Sequence, residues 1–309
     1  MKIKKNDKIY VAGHTGLVGS AIIRNLKING YTNIITATRN KIDLMNQKKT
    51  LNFLKKIKPK FIFIAAAHVG GINANNIFRA TFIYNNLTIQ NNLINGAFQA
   101  GVKKLIFLGS SCVYPKDCKQ PIKEEYLLSG PLEKTNEPYA VAKIAGIKLC
   151  ESYNHQYKTD YLSIMPCNTY GPGDNYNLNS SHFLPALLKK IHQIKKKKEN
   201  KLNLWGTGKP KREFIYVDDL ADACVFFMNK NTKEKIINIG SGLDNTIYEI
   251  SKLVLKILNV KTKIIFNKSK PDGTKRKLLD ISVAKKYGWK PKTSFKKGIL
   301  NTYINFKKN

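Results

Sequence analysis

The feature that most constrains this chain is the alternation, through its first half, of short apolar runs with longer helix-patterned segments. Lys8 to Ala12 is a short apolar run ending in glycine, and Leu17 to Asn29 has a helical pattern that stops at Gly30. Asn33 to Thr38 is β-branched, while Leu51 to Lys58 is helical and closed by Pro59. Phe61 to Ala67 reads as a buried strand from its continuous apolar character. Thr81 to Ala100 is a long helical stretch ended by Gly101, and Leu105 to Leu108 and Tyr161 to Met165 are further strands. Strands separated by helix-length segments imply βαβ units and a parallel sheet.

The texture changes after Met165. Asn168 to Ser181 is rich in Gly, Pro and Asn and cannot hold regular structure for long. Two later segments, Val217 to Met228 and Ile236 to Ile239, are suited to rejoin the first sheet. The expected class is α/β: a Rossmann-type doubly wound parallel sheet with a smaller, discontinuous α/β substrate domain. Residues 1–170, with return segments near 215–240, form the first domain, and 171–214 with 241–309 form the second. At 309 residues, 42% of them hydrophobic, the chain can bury its core without a metal or disulfide staple. Its five cysteines are odd in number, show no CxxC pair and have no histidine cluster beside them. Free thiols, a reducing compartment and no metal site are expected. No apolar run nears the length of a bilayer span, and MKIKKNDKIYVAG holds no signal-peptide core. A soluble cytoplasmic chain without a membrane partner follows as an expectation.

The charge points elsewhere at first sight. Fifty-four Lys and Arg stand against 20 Asp and Glu, a net +34 that suits a nucleic-acid binder or an anionic surface. A nucleic-acid footprint is a patch or stripe, however, and these lysines are spread along the whole chain with abundant Asn and Ile. The densest run, Lys195 to Lys198, is followed by Glu199 and Asn200, as in a solvated helix end or loop. No nucleic-acid partner is expected, and the positive field should favour an anionic substrate.

Three motifs carry chemistry. Gly13-His14-Thr15-Gly16-Leu17-Val18-Gly19 joins the first strand to the first helix, where glycines let the backbone approach a pyrophosphate seated on the helix N-terminus. The second strand ends without the acid that would bind NAD ribose; it is followed by Arg39, which suits the 2′-phosphate of NADP, with Asp43 a further polar contact. Tyr139 and Lys143 stand at i and i+4 on one helical face, so the ammonium is expected to lower the phenol and let it pass a proton to a carbonyl oxygen. Ser110, just past Leu105 to Leu108, can hydrogen-bond the same oxygen.

Together these motifs resemble the extended short-chain dehydrogenase/reductases, which act on nucleotide sugars. Ala65–Ile72, Leu108–Pro115, Asn136–Ala140, Ala142–Gly146, Asn168–Pro172 and Lys270–Thr274 are similar to the GDP-L-fucose synthase branch of that family, and the likeness covers essentially the whole chain. The resemblance implies NADP(H) as cofactor and a GDP-4-dehydro-6-deoxy-mannose substrate, epimerised at C3 and C5 and reduced at C4. A GDP-colitose-type epimerase/reductase would share the same chemistry. By this resemblance Ser110, Tyr139 and Lys143 polarise the ketone, and Cys112 and His182 are the acid and base. On their own residues Cys112 is a small buried thiol and His182 a loop histidine.

The implied cofactor contacts are Gly13, Thr15, Gly16, Leu17, Val18, Gly19, Arg39, Asp43, Ala66, Tyr139 and Lys143. The implied substrate contacts are Asn168, Lys190, Trp205, Arg212, Lys270 and Asp272, with Arg212 the best grip on a diphosphate because its guanidinium is a planar fork. Lys190 stands where the family's pattern has arginine, keeping the charge and losing the fork. Thr15 stands where the pattern has a basic residue, which leaves Arg39 less help with a 2′-phosphate. A homodimer through the helices around Thr81–Ala100 and Tyr139–Tyr157 is implied in the same way.

Overall fold

A computed structural model describes residues 3–270 and 272–308; Met1, Lys2, Asn309 and Pro271 of the Lys270–Thr274 motif lie outside the described residues. The first half runs β1 (Ile9–Ala12), α1 (Leu17–Ile28), β2 (Ile34–Ile35), α2 (Gln47–Ile57), β3 (Phe61–Ile64), α3 (Ile72–Ile77), α4 (Arg79–Gln99), β4 (Lys104–Leu108), α5 (Glu137–Tyr157) and β5 (Asp160–Pro166). Every residue of β1, β3 and β4 is buried, as strands covered on both faces must be. Local chemistry sets the helix ends. Asn46 caps α2 by accepting from the Lys49 N–H at 2.9 Å, and Lys58 turns into the left-handed region just before Pro59.

The second half runs β6 (Asn168–Tyr170), α6 (Phe183–Lys197), β7 (Lys201–Trp205), β8 (Lys211–Tyr216), α7 (Val217–Met228), β9 (Ile236–Ile239), β10 (Asp244–Thr246), α8 (Ile247–Ile257), β11 (Lys263–Asn267), β12 (Arg276–Lys277), α9 (Ser282–Lys286) and α10 (Phe295–Lys308). A capping box between Thr246 and Glu249 starts α8.

The central sheet is wholly parallel, in the order β2-β1-β3-β4-β5-β9. Val217–Met228 is the helix α7, which packs beside α1, tied by Arg24 to Asp218 at 2.6 Å, and β9 joins the sheet next to β5. From β1 the chain goes to β2 on one side and then to β3 on the other. That reversal opens a crevice beyond the carboxyl ends of β1 and β3, where ligands bind in such sheets. The strand expected over Asn33 to Thr38 shrinks to Ile34–Ile35, an edge pair held only by β1. The one over Phe61 to Ala67 stops at Ile64, because Ala65 and Ala66 face the Gly13 turn.

A second, smaller core lies apart from the first. In it β8 pairs with β6 and β12 in parallel and with β10 antiparallel, while β7 and β11 form a separate parallel pair. Leu187 and Ile191 of α6, Leu202 and Leu204 of β7, Val254 of α8 and Ile299 of α10 pack together there. The sequence assigns all of 241–309 to this unit, but Leu279, Ile281, Ala284 and Trp289 pack into the first core. Trp289 Nε1 donates to Asp222 at 3.0 Å on α7, which holds that stretch in place. Among the described residues no helix is long and apolar enough to cross a membrane.

The β1–α1 junction generates a direct test. A Cβ on Gly19 would stand 2.1 Å from the Gly13 carbonyl oxygen, so only glycine lets the helix start this close to the turn. Gly19→Ala is expected to destabilise the fold by about 1–3 kcal/mol in urea unfolding; an unchanged midpoint would contradict this packing.

Candidate active site

Three strand ends meet at the crevice. After β1, Gly13 takes φ +85°, and a Cβ there would lie 2.6 Å from the Ala66 amide, so the turn presses against the chain leaving β3. Helix α1 then begins at Gly16 with no side-chain cap and no acid in its first turn, and Thr15 and Gly16 are exposed. Its first N–H groups therefore carry uncompensated positive potential, the property that holds a pyrophosphate. Leu17, Val18 and Ala66 are half-buried around this cradle. Arg39 is exposed beyond β2, with no acid on the strand, and Asp43 accepts from the Met45 N–H at 3.1 Å. Glycines that a Cβ would clash with, and a bare helix start, fit a dinucleotide.

Beyond β4, Ser110 begins a short turn and accepts from the Cys112 N–H at 3.2 Å, which sets the thiol next to it. Helix α5, with Pro138 in its first turn, carries Tyr139 and Lys143. Lys143 is 2% exposed and its Nζ donates to the Leu108 carbonyl at 2.7 Å. Burial brings this ammonium down to about 7. Burial also raises the Tyr139 phenol above its ordinary value, helped by the neighbouring Cys112, while the hydrogen bond with Ser110 works the other way. The lowered phenol expected from the Tyr/Lys pair is thus not found. Desolvation outweighs Lys143, whose Nζ points to a carbonyl and lies 5.9 Å from the phenol ring centre.

Cys112 is half-buried and, like the other four cysteines, forms no disulfide. Its Sγ receives Asn136 Nδ2 at 3.3 Å and Lys277 Nζ at 3.9 Å. Asn136 belongs to the motif quoted around Tyr139, but nothing in the sequence marked it as a thiol partner. Lys277 carried no signal at all in so lysine-rich a chain. His182 heads α6 without capping it. It keeps exposed surface, yet enough protein surrounds the imidazole that desolvation lowers its pKa from 6.5. The loop before it is tied to the end of the Ala65–Ile72 motif by the Gly71 N–H, which donates to the Ser180 carbonyl at 2.8 Å.

The other candidates are divided. Arg212 is desolvated in the cleft and feels Cys112, Asp272 and Glu133. Trp205 is 57% exposed, with Lys270 Nζ 5.6 Å above its ring. Asn168 spends its amide on the Glu213 carbonyl at 2.8 Å, and Lys190 donates to the Asn203 carbonyl at 2.9 Å. Asp272 accepts from the Thr207 N–H at 2.6 Å and the Thr207 hydroxyl at 2.7 Å. The structure therefore gathers Ser110, Cys112, Tyr139, Lys143 and Arg212, while Asp272, Asn168 and Lys190 are engaged with the chain's own loops and strands. Among the described residues no group of three His, Cys, Asp or Glu side chains could hold a metal ion.

Comparison with known proteins points the same way. Residues 9–240 match the NAD dependent epimerase/dehydratase family. The chain is 49% identical to GDP-L-fucose synthase of Sinorhizobium fredii over 100% of its length and 98% of the relative's. It is 40% identical to GDP-L-colitose synthase of Yersinia pseudotuberculosis, covering 98% of this chain and 99% of that one. The structure of a GDP-L-fucose synthetase from Naegleria fowleri bound to NADP superposes with a TM-score of 0.92 at 28% identity, covering 100% of this chain and 95% of that one.

The lowered imidazole has a consequence for stability. Unfolded, His182 protonates near 6.5, and folded it does so at lower pH. Between those values the unfolded chain binds more protons, so stability falls as pH drops through 6.5 toward the folded value. Urea unfolding across this window should show His182→Asn losing that part of the slope. A slope identical to wild type would contradict the desolvated imidazole.

Proposed function

Because this chain belongs to the NAD dependent epimerase/dehydratase family, we propose that it acts as a GDP-L-fucose synthase. It epimerises C3 and C5 of GDP-4-dehydro-6-deoxy-D-mannose and reduces C4 with NADPH to give GDP-L-fucose. The observation that carries this reading is Tyr139 grouped with Ser110 and Cys112 past the end of β4, in a chain whose β1–α1 turn is suited to a dinucleotide. The near full-length identity to such enzymes supports it.

The residues can perform each step. The Ser110 hydroxyl and Tyr139 phenol donate to the C4 ketone oxygen, so negative charge developing there is stabilised. Protons at C3 and C5 are both α to this carbonyl and become acidic together. Cys112 and His182 carry those protons, His182 favouring its neutral form because burial disfavours the imidazolium. The Gly13–Gly19 turn and Arg39 would hold NADPH, which would supply the hydride for reduction at C4. A phenol raised above its usual value keeps its proton until the C4 oxygen takes it, and solvent returns that proton afterwards. Lys143 holds α5 against β4 so that Tyr139 stays aligned.

On this reading the first domain (1–170 with 215–240) binds the cofactor, and the second supplies the GDP-sugar contacts, with Arg212 on the diphosphate and Trp205 and Lys270 toward the nucleotide. A GDP-colitose-type reaction would use the same residues on a substrate that differs at C3, and product analysis separates the two. We assign a homodimer through α4 and α5, supported by Tyr84 and Tyr157, which stand 65% and 47% exposed on these helices. A cytoplasmic location is supported by the free thiols. Lysines dispersed along the whole chain support an anionic small-molecule substrate over nucleic acid.

Variants test the roles. Tyr139→Phe should lower NADPH oxidation by about 10²–10⁴-fold. Cys112→Ser and His182→Asn should slow solvent-deuterium exchange at C3 and C5 while leaving competence to reduce a ketone. Exchange that survives both replacements would defeat the assignment.

A further inference from the structure

Arg212 and Lys277 are register partners on the parallel strands β8 and β12, yet this ladder is only two residues long, Lys211 with Arg276 and Arg212 with Lys277. Backbone pairing between the strands stops there. The departing chain then bonds to Gln120 and Ile122 and to one buried carboxylate: Gln120 Oε1 accepts the Leu278 N–H and Glu213 Oε2 the Leu279 N–H, each at 2.9 Å, while Ile122 donates to the Leu278 carbonyl and accepts from the Asp280 N–H. Its other oxygen, Oε1, accepts the Gly242 N–H at 2.7 Å, in the turn that follows β9 of the central sheet. Glu213 is 0% exposed and, among the described residues, has no ion pair. A Cβ on Gly240 would stand 2.2 Å from Oε1, so the turn is built around this carboxyl. Strand alternation sends Arg212 to the cleft and Glu213 to the opposite face.

Burying a carboxylate away from any cation is unfavourable, and burial indeed raises this one to about 7, against the pull of its backbone hydrogen bonds. What it provides is a geometry no neutral side chain matches. Two acceptor oxygens take amide N–H groups from two separate segments, whereas glutamine would turn an NH₂ toward one of them. The same residue's carbonyl accepts from Asn168 on β6.

We propose that Glu213 is the positioning residue of Arg212, the diphosphate grip: its carboxylate ties the chain leaving β12 and the turn after β9 to β8, and so sets the Arg212 side chain in the cleft. The inference rests on the reading that Arg212 grips the GDP diphosphate. On this proposal Glu213 touches neither substrate nor cofactor and acts only through Arg212.

The test is a double-variant cycle on the full-length protein with NADPH and GDP-4-dehydro-6-deoxy-mannose. Glu213→Gln should raise KM for the sugar nucleotide about tenfold through one misplaced amide partner, keep kcat within about twofold, and leave NADPH affinity, read by fluorescence titration, unchanged. Combined with Arg212→Gln, it should add little, because both changes remove the same grip. Equal loss in kcat and NADPH affinity, or additive effects in the double variant, would overturn the proposal in favour of a general structural role. An unchanged KM in Arg212→Gln overturns the diphosphate reading itself. A raised KM there beside an unchanged KM in Glu213→Gln overturns only the role of Glu213. If Glu213→Gln does not fold, Gly240→Ala, which crowds Oε1 without removing it, is expected to give the same KM-selective defect, and wild-type kinetics in that variant would count against the proposal.

Discussion

A lysine almost out of reach of water holds the site together. Lys143 donates to the Leu108 carbonyl at the last residue of β4, and in so enclosed a place that hydrogen bond and the face of the Phe107 ring, 4.7 Å away, stand in for hydration. The bond clamps α5 to the strand end. Tyr139, one helical turn earlier, is then fixed relative to Ser110, two residues beyond Leu108 in the chain. Gln90 of α4 adds a second tie by donating to the Ala142 carbonyl at 2.6 Å. Without this clamp the phenol would not be held beside the serine hydroxyl and the neighbouring thiol.

What the sequence makes legible is local. Continuous apolar runs announce β1, β3 and β4, the glycine spacing announces the β1–α1 turn, and a Tyr and Lys four apart announce a helix face. What it hides depends on distant partners. Ile34–Ile35 is trimmed to two residues because only one neighbouring strand holds it, a fact of sheet order rather than composition. Residues 279–289 return to the first core because Asp222, far away in the chain, awaits Trp289. Asn136 and Lys277 reach the Cys112 sulfur from a helix start and from a strand of the other unit. The phenol is a sharper lesson: residue types alone suggest that an ammonium lowers it, while burial decides the direction.

The cleft also gives meaning to a charge excess that looks undirected in the sequence. Arg212 and Lys277 stand together at its floor, and Lys116 is nearby, 3.5 Å from Glu133, which Thr274 also contacts at 3.4 Å. Glu133 is therefore enclosed by partners from both units. On the proposed reading, a doubly charged diphosphate entering here would meet Arg212 on a strand held in register, an arrangement that turns a general positive field into orientation.

At the centre of the account is one polarised ketone serving both epimerisation and reduction. The direct measurement is the mass of the product formed from GDP-4-dehydro-6-deoxy-mannose and NADPH in heavy water. Two carbon-bound deuterons in the reduced sugar, one at C3 and one at C5, are the predicted result. A reduced product that keeps both original hydrogens would contradict a shared carbonyl as the source of this chemistry.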